Sequence, residues 1–137
     1  MNSPVTVDAS VFVNAFNPTE VGSDQSLAFI TKLRSEGIPI IQPTLFLPEL
    51  IASVARKKGD ARLALQLAKE LRDFSSLTLV TLDENLADFA SDVAANNRLR
   101  GSDAVYAAVA LRFGTELVTL DKEQLDRLPK VLAVRSP

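Results

Sequence analysis

The stretch GSDAVYAAVALRFGTELVTLD, residues 101–121, changes character part-way along its length. Ser102 to Phe113 is an unbroken Ala- and Val-rich run about three turns long, and Gly114 follows it as a helix stop. Leu117 to Leu120 is a short apolar run that ends in Asp121. A helix, a glycine stop, a strand and an acid at the strand's carboxyl end make up half of a βα repeat. Outward from it the same alternation continues. Strands are expected at Val5–Val7, Ile38–Ile41, Leu77–Leu82 and Val131–Val134. Helices are expected at Ser26–Glu36, stopped by Gly37, and at Thr44–Lys58, stopped by Gly59. Others are expected at Asp60–Phe74, Leu86–Ala95 and Lys122–Leu128. Alternating elements of this kind predict one α/β/α domain over residues 1–137 with a mostly parallel five-stranded sheet. Right-handed crossovers favour the strand order 3-2-1-4-5, with the topological switch point between strands one and four.

Composition narrows the chemistry. The chain has 137 residues, 47% hydrophobic, with a formal net charge of -2. It has no Cys and no His. Thiol nucleophiles, disulfides, imidazole-ligated zinc, a histidine base and a Ser-His-Asp triad are all excluded. Carboxylates, hydroxyls, Lys, Arg and the single Tyr must carry any reaction. The apolar runs are short and broken by charge, so no segment is expected to span a membrane. The opening MNSPVTVDAS has neither the basic nor the apolar region of a signal peptide, and a cytoplasmic location is expected.

Four acids fall where an open α/β sheet binds ligands. Asp8 ends strand one and Asp121 ends strand four, so the two flank the switch point. Glu49 lies early in the helix after strand two, inside the apolar run Leu45-Phe46-Leu47-Pro48-Glu49-Leu50-Ile51. Asp103 opens the helix that leads into strand four. The four carboxylates are expected to converge. Unit charges about 4 Å apart repel by roughly 4 kcal/mol at an effective dielectric of 20, so such a group calls for a cation. Oxygen-only ligands select Mg²⁺ or Mn²⁺. Each Asp also has a plain capping reading: Asp121 with Gln124 fits a capping box, Asp103 follows Ser102, an expected N-cap, and favours the helix dipole, and Asp8 caps the turn after strand one. Glu49 also reads as an exposed acid on an outer helix face. Leu79-Val80-Thr81-Leu82-Asp83 nearly repeats Leu117-Val118-Thr119-Leu120-Asp121. Strand three is expected at the sheet edge, so Asp83 should only cap a helix.

Val7-Asp8-Ala9-Ser10, Pro48-Glu49-Leu50, Ser102-Asp103-Ala104-Val105-Tyr106-Ala107-Ala108-Val109-Ala110 and Leu117-Val118-Thr119-Leu120-Asp121 together resemble the PIN-domain family of metal-dependent ribonucleases. Within that family they resemble the VapC-type toxins of toxin–antitoxin pairs, over nearly the whole chain. The resemblance implies that Asp8, Glu49, Asp103 and Asp121 hold Mg²⁺ or Mn²⁺, with Ser10 and Thr119 as polar support. It also implies an RNA substrate, a homodimer and a small VapB-like antitoxin that reaches the acidic site. Leu125 departs from the pattern, since many relatives carry an aromatic residue after the last Asp.

Basic residues near the expected rim are Arg56, Lys57, Lys58 and Arg62 on one side and Arg98 and Arg100 on the other. Arg98 and Arg100 are the better candidates for RNA phosphates, because they immediately precede Asp103. The Arg56–Lys58 run also reads as a solvated helix end. Leu45, Phe46, Leu47, Leu50 and Ile51 read mainly as core, with a groove for an amphipathic helix as the lesser role. Two rivals stand beside the ribonuclease: a non-catalytic PIN-like scaffold that binds RNA or protein, and a phosphoryl-transfer domain using Asp8. Ser10, where a second acid would be needed, weighs against the latter.

Overall fold

The structure is a computed structural model that describes residues 3–137, so Met1 and Asn2 of the N-terminal reading lie outside it. Its strands are β1 (Val5–Val7), β2 (Ile40–Pro43), β3 (Leu77–Val80), β4 (Glu116–Val118) and β5 (Val134–Arg135). Its helices are α1 (Ala9–Ala15), α2 (Ser23–Ser35), α3 (Phe46–Lys58), α4 (Ala61–Arg72), α5 (Glu84–Asn97), α6 (Gly101–Phe113) and α7 (Lys122–Arg127). All strand pairs are parallel and the order is β3-β2-β1-β4-β5, as the alternation of elements predicts. Among the described residues no helix is long and apolar enough to cross a membrane.

Several elements differ in their bounds from the reading of the chain: α2 starts three residues earlier, β3 and β4 end two residues earlier, and three further differences have clear local causes. Helix α1 has no counterpart in that reading. Ala9, Val11, Phe12, Val13, Asn14 and Ala15 are all buried, so the segment has no polar face and no helical period to see. Strand β2 starts two residues late, because the Ile38 N–H turns back to the Leu33 carbonyl (2.9 Å) and closes α2. Strand β5 is Val134–Arg135 and not Val131–Val134. After Pro129, the Val131 and Leu132 N–H groups both fold back onto the Leu128 carbonyl, at 2.9 and 3.1 Å, and these residues make a turn.

The centre of the sheet is tied by side chains as well as backbone. Strand β1 pairs with β4 at Val5↔Glu116, Thr6↔Leu117 and Val7↔Val118, but with β2 only at Val5↔Ile40. Beyond that point Gln42 stands in for a peptide group. Its Oε1 accepts from the Val7 N–H (2.7 Å) and its Nε2 donates to the Val7 carbonyl (2.6 Å). The Thr6 hydroxyl likewise donates to the Ile41 carbonyl (2.7 Å). Gln42 is fully buried, which is tolerable only because both ends of its amide are used. Phe12 packs edge-on against Phe46, with centroids 5.0 Å apart, and joins α1 to α3 in the core. Phe46 and Leu50 are also fully buried, which leaves Leu45, Leu47 and Ile51 half-buried against the same core.

Gln42→Leu strands the buried N–H and C=O of Val7, one residue before Asp8. The expected loss is about 2–4 kcal/mol of folding stability, read from urea unfolding. A loss below 0.5 kcal/mol, the range of ordinary surface changes, would show that Val7 has other partners.

Candidate functional site

The carboxyl ends of β1 and β4 are laced together by hydroxyls. Asp8 follows β1 and is 6% exposed. Its Oδ2 accepts from Ser10 Oγ (2.5 Å) and Thr119 Oγ1 (3.1 Å). Ser10 Oγ also accepts from the Leu120 N–H (3.3 Å), and Thr119 Oγ1 from the Asp121 N–H (3.0 Å). The two hydroxyls thus connect the Asp8 carboxylate to the backbone that carries Asp121. Asp8 is the N-cap residue of α1 by position, but its side chain makes no capping bond.

Asp121 does cap α7: Oδ1 accepts from Glu123 N–H (2.8 Å) and Gln124 N–H (3.4 Å). Its Oδ2 accepts from Arg100 Nη2. Asp103 lies inside the first turn of α6, whose N-cap residue is Arg100 and not Ser102. Asp103 Oδ1 accepts from Gln124 Nε2 (3.0 Å) and Oδ2 from Arg100 Nε (2.9 Å). Gln124 therefore reaches across to Asp103 and does not close a capping box on Asp121. Glu49 is half-buried near the start of α3, and its Oε1 accepts from the Tyr106 hydroxyl (2.7 Å).

A cavity of about 360 Å³ is lined by Asp8, Glu49, Asp103 and Asp121, together with Ser10 and Arg100. Glu20 and Lys57 close its other wall, paired at 3.2 Å. A larger hollow of about 800 Å³ opens around Val5, Phe29, Lys32, Glu116 and Arg135, where among the described residues the only acid is Glu116, itself paired with Arg135. The acid chemistry lies in the smaller one.

A family model of the PIN domain matches residues 5–131. The chain belongs to the PIN-domain family. No curated protein sequence matches it significantly. Solved structures are similar throughout. The VapBC2 structure from Rickettsia felis, bound to a DNA fragment from its promoter, has a TM-score of 0.71 at 16% identity and covers 98% of both chains. A toxin–antitoxin complex from Klebsiella pneumoniae gives 0.64 at 15% identity, covering 95% of this chain and 94% of that one. VapC20 of Mycobacterium tuberculosis, a toxin that cleaves the sarcin–ricin loop, gives 0.69 at 18% identity, covering 86% and 90%. At these identities the likeness is one of fold.

In this PIN domain the four acids share a cavity but do not close on one point. Among the described residues no group of three or more acid side chains is placed to hold a metal ion together. The full convergence expected from the sequence is corrected to that extent, and the cause is local. Arg100 holds Asp103 and Asp121, two hydroxyls hold Asp8, and Tyr106 holds Glu49. The donor set itself is all oxygen, the class that Mg²⁺ and Mn²⁺ take.

Burial pushes the Asp8 carboxyl above the usual range, helped by the nearby Glu49 charge and opposed by the Ser10 and Thr119 hydroxyls. Burial does the same to Asp103, where Arg100 opposes it and the Asp121 and Asp8 charges add to it. Burial and the Glu49 charge push Tyr106 far up, so it remains a proton donor to Glu49. At the rim, the Asn14 hydrogen bond and Lys57 hold Glu20 below the ordinary carboxylate range.

Of the basic candidates, Arg100 and Lys57 line the cavity and Arg56 and Arg98 do not. Arg56 and Lys58 are exposed on the last turn of α3, and Arg62 on the first turn of α4. Arg98 closes α5 in the left-handed region (φ 53°), and its carbonyl accepts from Arg127. Asp83, as the echo predicts, caps α5 through the Leu86 N–H (2.8 Å) and lies outside the cavity. The reading of the chain gives Tyr106 and Glu20 no role at the site and Gln124 only a capping one. Tyr106 was legible, since it stands one turn after Asp103 on the same helix face. Glu20 sits after the unread α1, and nothing in its local sequence marks it.

Asp8 and Asp103 bind protons more tightly folded than unfolded. Their contribution to stability is therefore fully present below the ordinary aspartate value of 3.8 and is lost as pH rises through the folded values. In excess chelator, Asp8→Asn is expected to melt above the wild type at neutral pH. The gap should shrink as pH falls toward 3.8. A variant that melts lower at neutral pH would show that the Asp8 charge is compensated.

Proposed function

We propose that this PIN domain is a Mg²⁺- or Mn²⁺-dependent endoribonuclease and the toxin of a toxin–antitoxin pair. One observation carries the reading: four carboxylates from four separate segments line one cavity at the topological switch point of a chain with no His or Cys. Asp8, Glu49, Asp103 and Asp121 would hold the ion, which when bound supplies Lewis acidity, activation of water and neutralisation of phosphodiester charge. The chain's own residues orient these donors. Ser10 and Thr119 fix the Asp8 carboxylate, Tyr106 fixes Glu49, Gln124 fixes Asp103, and the start of α7 fixes Asp121. Lys57 and Arg100 put positive charge on two walls of the cavity, where an RNA phosphate would enter. The fold likeness to a toxin–antitoxin complex and to an RNA-cleaving toxin supports the same reading. It extends to a homodimer in the cytoplasm and to an antitoxin whose Arg or Lys enters the Asp8–Asp121 pocket, where a guanidinium can pair with carboxylates that repel one another.

A non-catalytic scaffold is the second reading, favoured by one feature: Arg100 already neutralises two of the acids. Cleavage of RNA by the purified chain separates the two. Activity should require Mg²⁺ or Mn²⁺ and vanish in EDTA; undiminished cleavage in EDTA removes the metal mechanism. Asp121→Asn should lower cleavage about a hundredfold or more, beyond the 10–100-fold typical of changes around a metal's direct ligands. Asp83→Asn should leave it nearly intact, since Asn still caps a helix. If a folded Asp83→Asn is equally inactive, the site is misassigned.

The toxin label has its own test. Expression of the chain alone should slow growth, and Asp8→Asn should relieve it. A wild type that is harmless at high expression removes the label and leaves the nuclease.

A further inference from the structure

We propose that Arg100 is an internal counter-cation that competes with the divalent ion for Asp103 and Asp121, so that the site loads only as the guanidinium lets go. This rests on the metal-dependent reading above. Arg100 is the N-cap residue of α6, three residues before Asp103, in extended backbone (φ -65°, ψ 152°). From there its Nε donates to Asp103 Oδ2 (2.9 Å) and its Nη2 to Asp121 Oδ2. One side chain thus bridges acids from two elements, α6 and the cap of α7.

Exposure decides how this bridge behaves. The Arg100 side chain is 67% exposed, against 6% for Asp103 and 15% for Asp121. The cation lies over the acids on the solvent side. It can swing into water without backbone movement, and because it lies in solvent its hold is partly screened; the buried acids it uncovers then need another cation in its place. The acids cannot leave: Asp103 is held by Gln124 and Asp121 by the N–H groups of α7. The other half of the cavity differs. The side-chain donors to Asp8 and Glu49 are neutral hydroxyls, which orient a carboxylate without cancelling its charge. Any ion that joins the two halves needs the Asp103 and Asp121 oxygens that Arg100 occupies. A divalent charge outbids a single guanidinium for them. Lys57 is no equivalent, because its partner is Glu20, outside the four acids.

The test is direct Mn²⁺ binding to the full chain, with free Mn²⁺ counted by its EPR signal at fixed ionic strength, in wild type, Arg100→Gln and Arg98→Gln. Arg100 makes no side-chain cap bond, so Gln is tolerated at α6. Arg100→Gln should bind Mn²⁺ about three- to tenfold more tightly, the scale of loosely held surface pairs. Arg98→Gln removes the same charge two residues away and should stay within about twofold, since screened exposed charges act weakly. In wild type, saturating Mg²⁺ should shift the Arg100 Nε–H resonance and speed its exchange with water. Equal or weaker Mn²⁺ binding in Arg100→Gln, an equal gain in Arg98→Gln, or an unmoved Nε–H signal overturns the competition alone. No Mn²⁺ bound by any of the three overturns the metal reading and the competition with it.

Discussion

The site depends on the parallel pairing of β1 with β4. Three register pairs, Val5↔Glu116, Thr6↔Leu117 and Val7↔Val118, bring two strands 111 residues apart in sequence into lateral contact. That pairing sets Asp8 beside Thr119 and, through Thr119, beside Asp121. It also fixes which edge of the sheet the helix starts face, and so delivers Glu49 and Asp103 to the same hollow. A slip of one residue would turn Thr119 to the other face and undo its bonds to Asp8 and Asp121. On the other side of β1 the backbone ladder is short, and Gln42 extends it with its own amide. The residue before Asp8 is thus held from both neighbouring strands.

That placement creates a charge problem, and the surroundings answer it in two ways. Around Asp8 and Glu49 the answer is hydroxyl donors, which orient a carboxylate but leave its charge. Burial then wins at Asp8, whose carboxyl is shifted up despite hydrogen bonds from both hydroxyls and from the Ser10 backbone. Around Asp103 and Asp121 the answer is a guanidinium. The shift at Asp103 is still upward, so even Arg100 does not offset burial there. A protein tuned only for stability would not bury these groups, since apolar residues in their place cost nothing in desolvation. Their burial is in keeping with the proposed divalent-ion site.

Much of this was legible in the sequence, and the gaps have physical causes. Glycine stops after the helices at residues 37, 59 and 114 and the repeated apolar-run-then-Asp pattern gave the alternation, and right-handed crossovers then favoured the strand order. Helix α1 was not legible because it is buried on every side, and a helix with no solvent face has no period. Its omission hid the loop that carries Glu20. Val131 and Leu132 have the composition of a strand, but Pro129 and the Leu128 carbonyl bind them into a turn. Gln42 gave no signal, because a buried Gln that imitates a peptide group looks locally like any polar residue in a strand. Asp83 and Asp121 are alike in local sequence and in capping geometry. Only the sheet separates them, since β3 is an edge and β4 borders the switch point.

Asp121 also shows that capping and chemistry need not be rival readings of one residue. Its Oδ1 caps α7 while its Oδ2 faces Arg100 and the cavity. Helix α7 has only six residues and supplies little helical stability of its own. What the cap does supply is orientation: a carboxylate with one oxygen fixed by two backbone N–H groups has lost its rotamer freedom. The other oxygen is then presented to the cavity without further entropy cost on binding. Asp103 is divided in the same way, with one oxygen on Gln124 and one on Arg100. Gln124 itself lies in the helix that Asp121 caps. The start of α7 therefore positions two of the four acids, and the helix is better understood as a scaffold for the site than as an element of the core.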